Sequence, residues 1–150
     1  MLESLSTRLA DFNDEVELLE IIYPLNSPSF NWGIDSFLSE FQHTKTVVLK
    51  DEAAIYAFVC LRDLQSAWEL SVLATRKEFQ GQGLMEALLV EISNTYGQDR
   101  ELWLEVHENN LAARNLYRKL GFKEGQKRPL YYSDGGAAIL FTKPSLASGS

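Results

Sequence analysis

A single cysteine in 150 residues, Cys60, leaves no partner for a disulfide within the chain. The fold must rest on its core, and a reducing compartment is expected. No apolar run approaches the roughly 20 residues that a membrane-crossing helix needs, so no membrane partner is expected. The acidic N-terminal stretch lacks a basic segment followed by an apolar one, which makes a cytoplasmic location the expectation. Basic residues are outnumbered, with 14 Lys and Arg against 21 Asp and Glu and a formal net charge of −7. That balance repels phosphate and disfavours nucleic acid, while a cationic partner suits it. No metal ligand set is expected. With 45% apolar and 23% charged residues, the chain has one domain's worth of core and can bury about two-thirds of its unfolded surface. We expect one domain over residues 1–143, followed by a Ser-, Ala- and Gly-containing loose end over 144–150.

Hydrophobic spacing predicts the elements. An acidic segment from Asp14 carries Val16, Leu18, Leu19 and Ile22 as a helical stripe, closed by Pro24. Ile34, Phe37, Leu38 and Phe41 share a face of a second helix, with Trp32 packing at its entrance. Two β-rich runs, 46–49 and 54–61, flank a tight connection at Lys50, Asp51 and Glu52 and read as a hairpin. Further strands are expected over 68–75 and 102–106, with a helix over 83–94 that ends at Gly97. A last helix over 110–120 is closed by Gly121. Phe122 and the run 137–142 supply two final strands around a loop with Tyr131, Tyr132, Gly135 and Gly136. The order is two helices, three strands, helix, strand, helix, two strands, which implies an α/β mixed sheet with helices on both faces.

The most informative stretch is Gln80, Gly81, Gln82, Gly83, Leu84, Met85, where a strand hands over to a helix. Two glycines two apart allow a sharp turn that exposes successive N–H groups, and the helix adds its own unsatisfied donors and the positive end of its dipole. A pyrophosphate is the expected guest, although such a turn also serves as a plain tight connection. A dinucleotide fold fits poorly, because the third glycine position holds Glu86, and the lysine of a P-loop is absent.

Gln80 to Met85 resembles the Gln/Arg-x-x-Gly-x-Gly/Ala motif of the GNAT superfamily of N-acetyltransferases. Leu73, Ala74 and Thr75 resemble its preceding strand. Asn110, Ala113, Leu116, Tyr117, Gly121 and Phe122 resemble its second motif, in the right order. Phe30, Asn31, Trp32, then Leu104, Glu105, Val106, then Tyr131, Tyr132, Asp134 and Gly135 are similar to one branch, the bacterial ribosomal protein alanine N-acetyltransferases. The resemblance covers most of the chain. It implies a GNAT acyl-CoA N-acyltransferase fold whose central strands splay, with acetyl-CoA as co-substrate lying between them. Leu73, Ala74 and Thr75 would meet its pantetheine arm, and Gln80, Gly81, Gln82, Gly83, Leu84, Met85 and Glu86 its pyrophosphate. Asn110 and Tyr117 would also touch it. Met85 departs from the small residue usual at its position.

Acyl transfer to an amine needs the amine neutral and the departing thiolate protonated. An α-amine with a pKa near 8 costs about 1.4 kcal/mol to free at pH 7, and a lysine near 10.4 costs about 4.6 kcal/mol. A modest base therefore serves an α-amine. Alternation along 102–106 points Trp103 and Glu105 to one face and Leu102, Leu104 and Val106 to the other, which makes Glu105 the first candidate base. Glu69, expected on one strand face with Ser71 and Leu73, is the rival, since the resemblance aligns it with the base of histone-type members. Tyr117 takes the role of proton donor that the family assigns to it. Arg114 and Arg118, four apart, either approach terminal phosphates of the co-substrate or form a solvated face. Glu15, Glu17 and Glu20 add acidity suited to a basic protein N-terminus. His107, Glu108 and Asn109 depart from the branch pattern beside the expected acceptor groove. The acceptor is expected to be the N-terminal alanine of a ribosomal protein. A small-molecule amine is the alternative, and a non-catalytic acetyl-CoA sensor or interaction module is a reading of another class.

Overall fold

The computed structural model describes residues 4–147. Among the described residues, seven strands form one sheet in the order β1 (Ser6–Leu9), β2 (Lys45–Lys50), β3 (Ile55–Asp63), β4 (Ala67–Thr75), β5 (Glu101–His107), β7 (Ala138–Lys143), β6 (Lys123–Arg128). Only β4 and β5 run parallel; every other neighbouring pair is antiparallel. The parallel pair is joined by a crossover through a single α-helix, Leu84–Tyr96, the kind of connection that parallel neighbours need. Among the described residues, four α-helices complete the fold: α1 (Glu15–Ile22), α2 (Ile34–Gln42), α3 (Leu84–Tyr96) and α4 (Leu111–Lys119).

The helices divide between the two faces. Leu18, Ile21 and Ile22 of α1 and Phe37 and Phe41 of α2 pack on Val48, Phe58 and Cys60. Leu84, Leu88, Leu89 and Ile92 of α3 and Tyr117 of α4 pack on Val47, Val59, Leu61 and Leu104 across the sheet. A strand covered on both faces reads as a continuous apolar run, and β3 is buried from Ile55 to Leu61. The Cys60 thiol lies within that run beside the Thr46 hydroxyl, and burial pushes its pKa up to about 11, which leaves it inert at neutral pH.

Several expectations change. Strand β1 has no counterpart among the expected elements: four residues, mostly exposed, carry too little pattern to read. Val16 points to solvent at 69% exposure, and Ile21 takes its place in the α1 stripe. Ile34 is likewise exposed, so α2 is anchored by Phe37 and Phe41 with Leu38 beside them. The strand expected at Phe122 is β6, which begins one residue later, at Lys123, and is exposed along its whole length. Glu17 is not free acidity, because its carboxylate accepts the Ile55 N–H at 2.7 Å and pairs with Arg76 at 3.0 Å, fixing α1 over the sheet. The segment after Pro144 is partly tied down: Ser145 is buried, and the N–H groups of Leu146 and Ala147 donate to the carbonyls of Gly97 and Gln98. Residues 148–150 of the expected loose end lie outside the described residues. No helix among the described residues is long and apolar enough to cross a membrane.

Candidate active site

The sheet opens between β4 and β5. Their parallel pairing covers only Ala67 with Glu101, Trp68 with Leu102 and Glu69 with Trp103, and beyond that point the strands part. A bulge assists the parting. Cys60 pairs with Val72 and Leu61 with Leu70, which leaves Ser71 as the extra residue of β4. A bulge bends its strand and re-aims the side chains beyond it. Trp68 and Leu70 accordingly pack in one layer and Val72 and Ala74 in the other, while Leu73 turns back to the first. Glu69 and Leu73 thus do not share a face, contrary to simple alternation.

The backbone beyond the bulge faces the gap. The Arg76 N–H donates to the Tyr56 carbonyl at 2.8 Å, which makes those two a hydrogen-bonded antiparallel pair. Bonded pairs recur every second residue, so Phe58 with Ala74 is the next, and Leu73 and Thr75 lie between. Their N–H and C=O groups point away from β3, into the cleft where β5 has withdrawn. The Thr75 carbonyl accepts from the Gln80 side-chain amide at 3.3 Å.

One end of the cleft, about 600 Å³ in volume, is lined by Leu73, Thr75, the glycine turn, Leu84, Met85 and Glu86, with Asn110 and Tyr117 across it. Gly81 and Gly83 adopt φ of +76° and +78°, a left-handed conformation that side chains disfavour, and a Cβ at either would meet nothing within 4 Å. The turn is set by conformation, not crowding, and it leaves open space above the backbone. The Ala87 N–H donates to the Gly83 carbonyl, so the amides of Leu84, Met85 and Glu86 have no acceptor inside α3. These donors at the positive end of a 13-residue helix fit a diphosphate. Gln82 lies in the turn but outside the lining, and Ala74 is buried in the α1 and α2 layer with its backbone polar groups turned to Phe58 of β3. Asn110 caps α4, its side-chain oxygen accepting the Ala113 N–H at 3.2 Å.

The other end, about 370 Å³, gathers Phe30, Trp32, Arg62, Glu69, Glu105, Tyr117, Tyr131 and Tyr132. Glu105 projects there from β5 with its side chain 20% exposed. Burial raises its carboxyl above the usual range, the Arg128 guanidinium opposes that, and Glu69 adds to it. Arg128 Nε lies 3.2 Å from Glu105 Oε2 but off the line of a hydrogen bond, and that buried oxygen has no hydrogen-bond partner. The folded chain therefore favours the protonated carboxyl. Its contribution to stability is complete below the unfolded value near 4.3 and is lost as pH rises through the folded one. Glu105→Gln is expected to melt higher than the parent chain at pH 8, with the two melting temperatures converging near pH 4, as followed by circular dichroism.

Glu69 is differently placed. Its carboxylate is 3.3 Å from Arg62, and Arg62 also binds Glu40 of α2. Glu40, buried, accepts the Ser71 hydroxyl at 2.6 Å as well. This chain of charges from α2 to the bulge is not legible in the sequence, since its members lie on three separate elements. Arg114 and Arg118 do not line the glycine turn and pair with Glu124 at 2.7 and 2.9 Å, Arg118 exposed and Arg114 half-buried with a further bond to the Glu108 carbonyl. The Tyr117 ring packs between Phe122 and Phe141, each 5.9 Å away. Burial pushes its pKa up to about 12, so the phenol stays protonated across the neutral range.

A mixed sheet opened at its parallel pair, with donors for a diphosphate at one end and carboxylates at the other, is the plan of a carrier-dependent acyltransferase. The chain belongs to the acetyltransferase (GNAT) family, whose family model matches residues 15–122, and it is an N-acetyltransferase. A relative from Escherichia coli strain K12, named ribosomal protein bS18 alanine N-acetyltransferase, is 31% identical over 122 residues, which cover 77% of this chain and 82% of that one. The crystal structure of the ribosomal-protein-S18-alanine N-acetyltransferase from Escherichia coli matches with a TM-score of 0.85 at 27% identity over 97% of each chain. A GNAT family acetyltransferase from Elizabethkingia anophelis, solved with acetyl-CoA bound, shares the fold with a TM-score of 0.76 at 16% identity, over 95% of this chain and 99% of that one.

Proposed function

We propose that the chain acetylates the N-terminal α-amine of a protein, with the alanine of a ribosomal protein as the acceptor. The single observation that carries this reading is the gap between β4 and β5, with the backbone groups of Leu73 and Thr75 facing it and the half-buried Glu105 carboxyl at its far end. The name of the Escherichia coli relative supports the choice of acceptor, and the net charge of −7 suits a basic protein.

Acetyl-CoA, when bound, supplies the thioester from which the acetyl group leaves. The amides of Gly81, Gly83, Leu84, Met85 and Glu86 hold its diphosphate, and the backbone groups of Leu73 and Thr75 hold its arm as an added strand would be held. The Leu73 N–H also serves as donor to an oxygen that gains negative charge during transfer. Glu105 takes the proton from the incoming ammonium, directly or through water. A base with a raised pKa is matched to an amine that titrates near 8. Glu69, tied through Arg62 to Glu40, anchors the acceptor side and is not the main base. Tyr117, reaching both ends of the cleft, donates its phenolic proton toward the leaving sulfur.

Mass spectrometry of acetylation over a panel of Ala-starting peptides, peptides with other first residues, and free amino acids and polyamines tests the reading. Modification of the α-amine of Ala-starting peptides is expected. Preference for the free amines would replace the acceptor by a small molecule. Tyr117→Phe is expected to lower kcat about tenfold at every pH from 6 to 9, because the phenol does not titrate there, with the KM for acetyl-CoA within about twofold.

A further inference from the structure

Residue 107 stands two positions after Glu105 on β5, on the same strand face, and its imidazole is 6% exposed. Its hydrogen bonds fix its tautomer. The Asn109 N–H donates to Nδ1 at 3.0 Å, so Nε2 carries the proton and donates to Asp134, whose two carboxylate oxygens lie 3.0 and 2.8 Å away. Asp134 belongs to the loop between β6 and β7. Its Oδ1 also accepts the Gly136 N–H at 2.8 Å, and the His107 hydrogen bond is the chief cause holding its carboxyl below the usual range.

The loop is gathered around this pair. The N–H groups of Tyr131 and Tyr132 both donate to the Gly136 carbonyl at 3.1 Å. A Cβ at Gly136 would lie 2.1 Å from His107 Nε2, so the loop approaches the imidazole as closely as only glycine allows. The Tyr132 ring stacks on the imidazole at 4.9 Å with 21° between planes. Glu108 adds a second tie, its N–H donating to the Ala137 carbonyl and its carboxylate accepting the Ala137 N–H at 2.7 Å. Tyr131 and Tyr132 are thereby held against the acceptor end of the cleft, beside Glu105.

We propose, resting on the acetyl-transfer reading above, that His107 is a positioning residue: through Asp134 it fixes the tyrosine loop over the acceptor end and so sets affinity for the acceptor. His107 does not reach the reacting atoms. Its Nε2 is committed to Asp134 and its Nδ1 to Asn109, so it relays no proton from the amine. Glu108 and Asn109, which with His107 depart from the branch pattern, are the residues that complete this tie.

Steady-state kinetics with an Ala-starting peptide and acetyl-CoA test the role. His107→Ala and Asp134→Ala are each expected to raise the KM for the peptide about tenfold, the scale of one charge-assisted hydrogen bond. The KM for acetyl-CoA should stay within about twofold and kcat within about threefold of the parent chain. Asp134→Asn keeps an oxygen for the His107 and Gly136 N–H groups and should remain within about threefold in all constants. The double variant should be no worse than the poorer single one, because both remove the same tie. Asp134 is partly exposed on a loop, so its replacement leaves the core intact even if His107→Ala folds poorly. An unchanged peptide KM in the Asp134→Ala chain, with parent turnover normal, overturns the positioning role alone. A parallel rise in both KM values with a fallen melting temperature overturns it too, as general loosening. If no peptide is acetylated by the parent chain, the acetyl-transfer reading falls and takes this role with it, whereas full turnover in Glu105→Gln would remove the base assignment alone.

Discussion

Replacing Glu105 with Gln is expected to lower acetyl transfer to an Ala-starting peptide by about 10²- to 10⁴-fold, the range of a positioned general base. The substitution keeps the shape of the side chain and removes its basicity alone. The site gives a reason for the size of the effect: one oxygen of Glu105 is buried without a hydrogen-bond partner, with only the Arg128 charge beside it, so the group keeps capacity to accept a proton. The pH profile should change with the rate. In the parent chain kcat/KM rises as Glu105 ionises; in the Gln chain that limb disappears, and the remaining rise toward pH 9 follows the free amine, whose pKa is near 8. Glu69→Gln should cost less, because Arg62 ties its carboxylate into the charge chain that runs to Glu40, whereas burial raises the Glu105 carboxyl in spite of Arg128 beside it. Measurement of kcat/KM from pH 5 to 9 on the three chains decides the assignment. Equal losses in the two variants would mean a shared base, and no loss in either would remove both carboxylates from the chemistry.

Gly83→Val is expected to raise the Kd for acetyl-CoA about 100-fold, as measured by titration calorimetry. Steric contact does not cause it, since the space at this position is open. The cost is conformational: φ is +78°, and a β-branched residue forced there loses roughly 1–2 kcal/mol. The chain relieves the strain by swinging the turn, and the Leu84, Met85 and Glu86 amides then cease to converge. Each N–H bond to a charged group contributes about 1.5–3 kcal/mol, so the loss of one or two gives the expected factor. At saturating acetyl-CoA, kcat should be nearly that of the parent chain. A Kd within threefold would mean that the diphosphate is held elsewhere.

The central elements are legible in the sequence because their patterns are local. Helices α3 and α4, the β3 run and the glycine turn each carry their signal within about a dozen residues, and β5 shows its two faces by alternation. The hidden features depend on register. The extra residue at Ser71 moves Leu73 to the opposite layer from Glu69, and no composition rule marks a bulge in an apolar strand. The pairing of Arg62 with both Glu40 and Glu69, the capture of Glu17 by Ile55 and Arg76, and the tie from His107 to Asp134 join residues far apart in the chain. Each is visible only as a single charged residue until the topology brings the partners together. Strand β6 shows the converse limit: Phe122 marks its start, but its extent and its pairing with β7 are a backbone matter that six exposed side chains do not advertise.

The opening between β4 and β5 also has a mechanical meaning. Three residue pairs at one end join a four-stranded half to a three-stranded half, so the sheet is hinged like a book whose spine is stitched along only part of its length. A ligand laid into the open part acts as a keystone, supplying the missing row of bonds and stiffening both leaves at once. Amide deuterium uptake in residues 70–75 and 104–106 should therefore slow when acetyl-CoA is added, while the already stitched stretch near Trp68 and Leu102 exchanges as before.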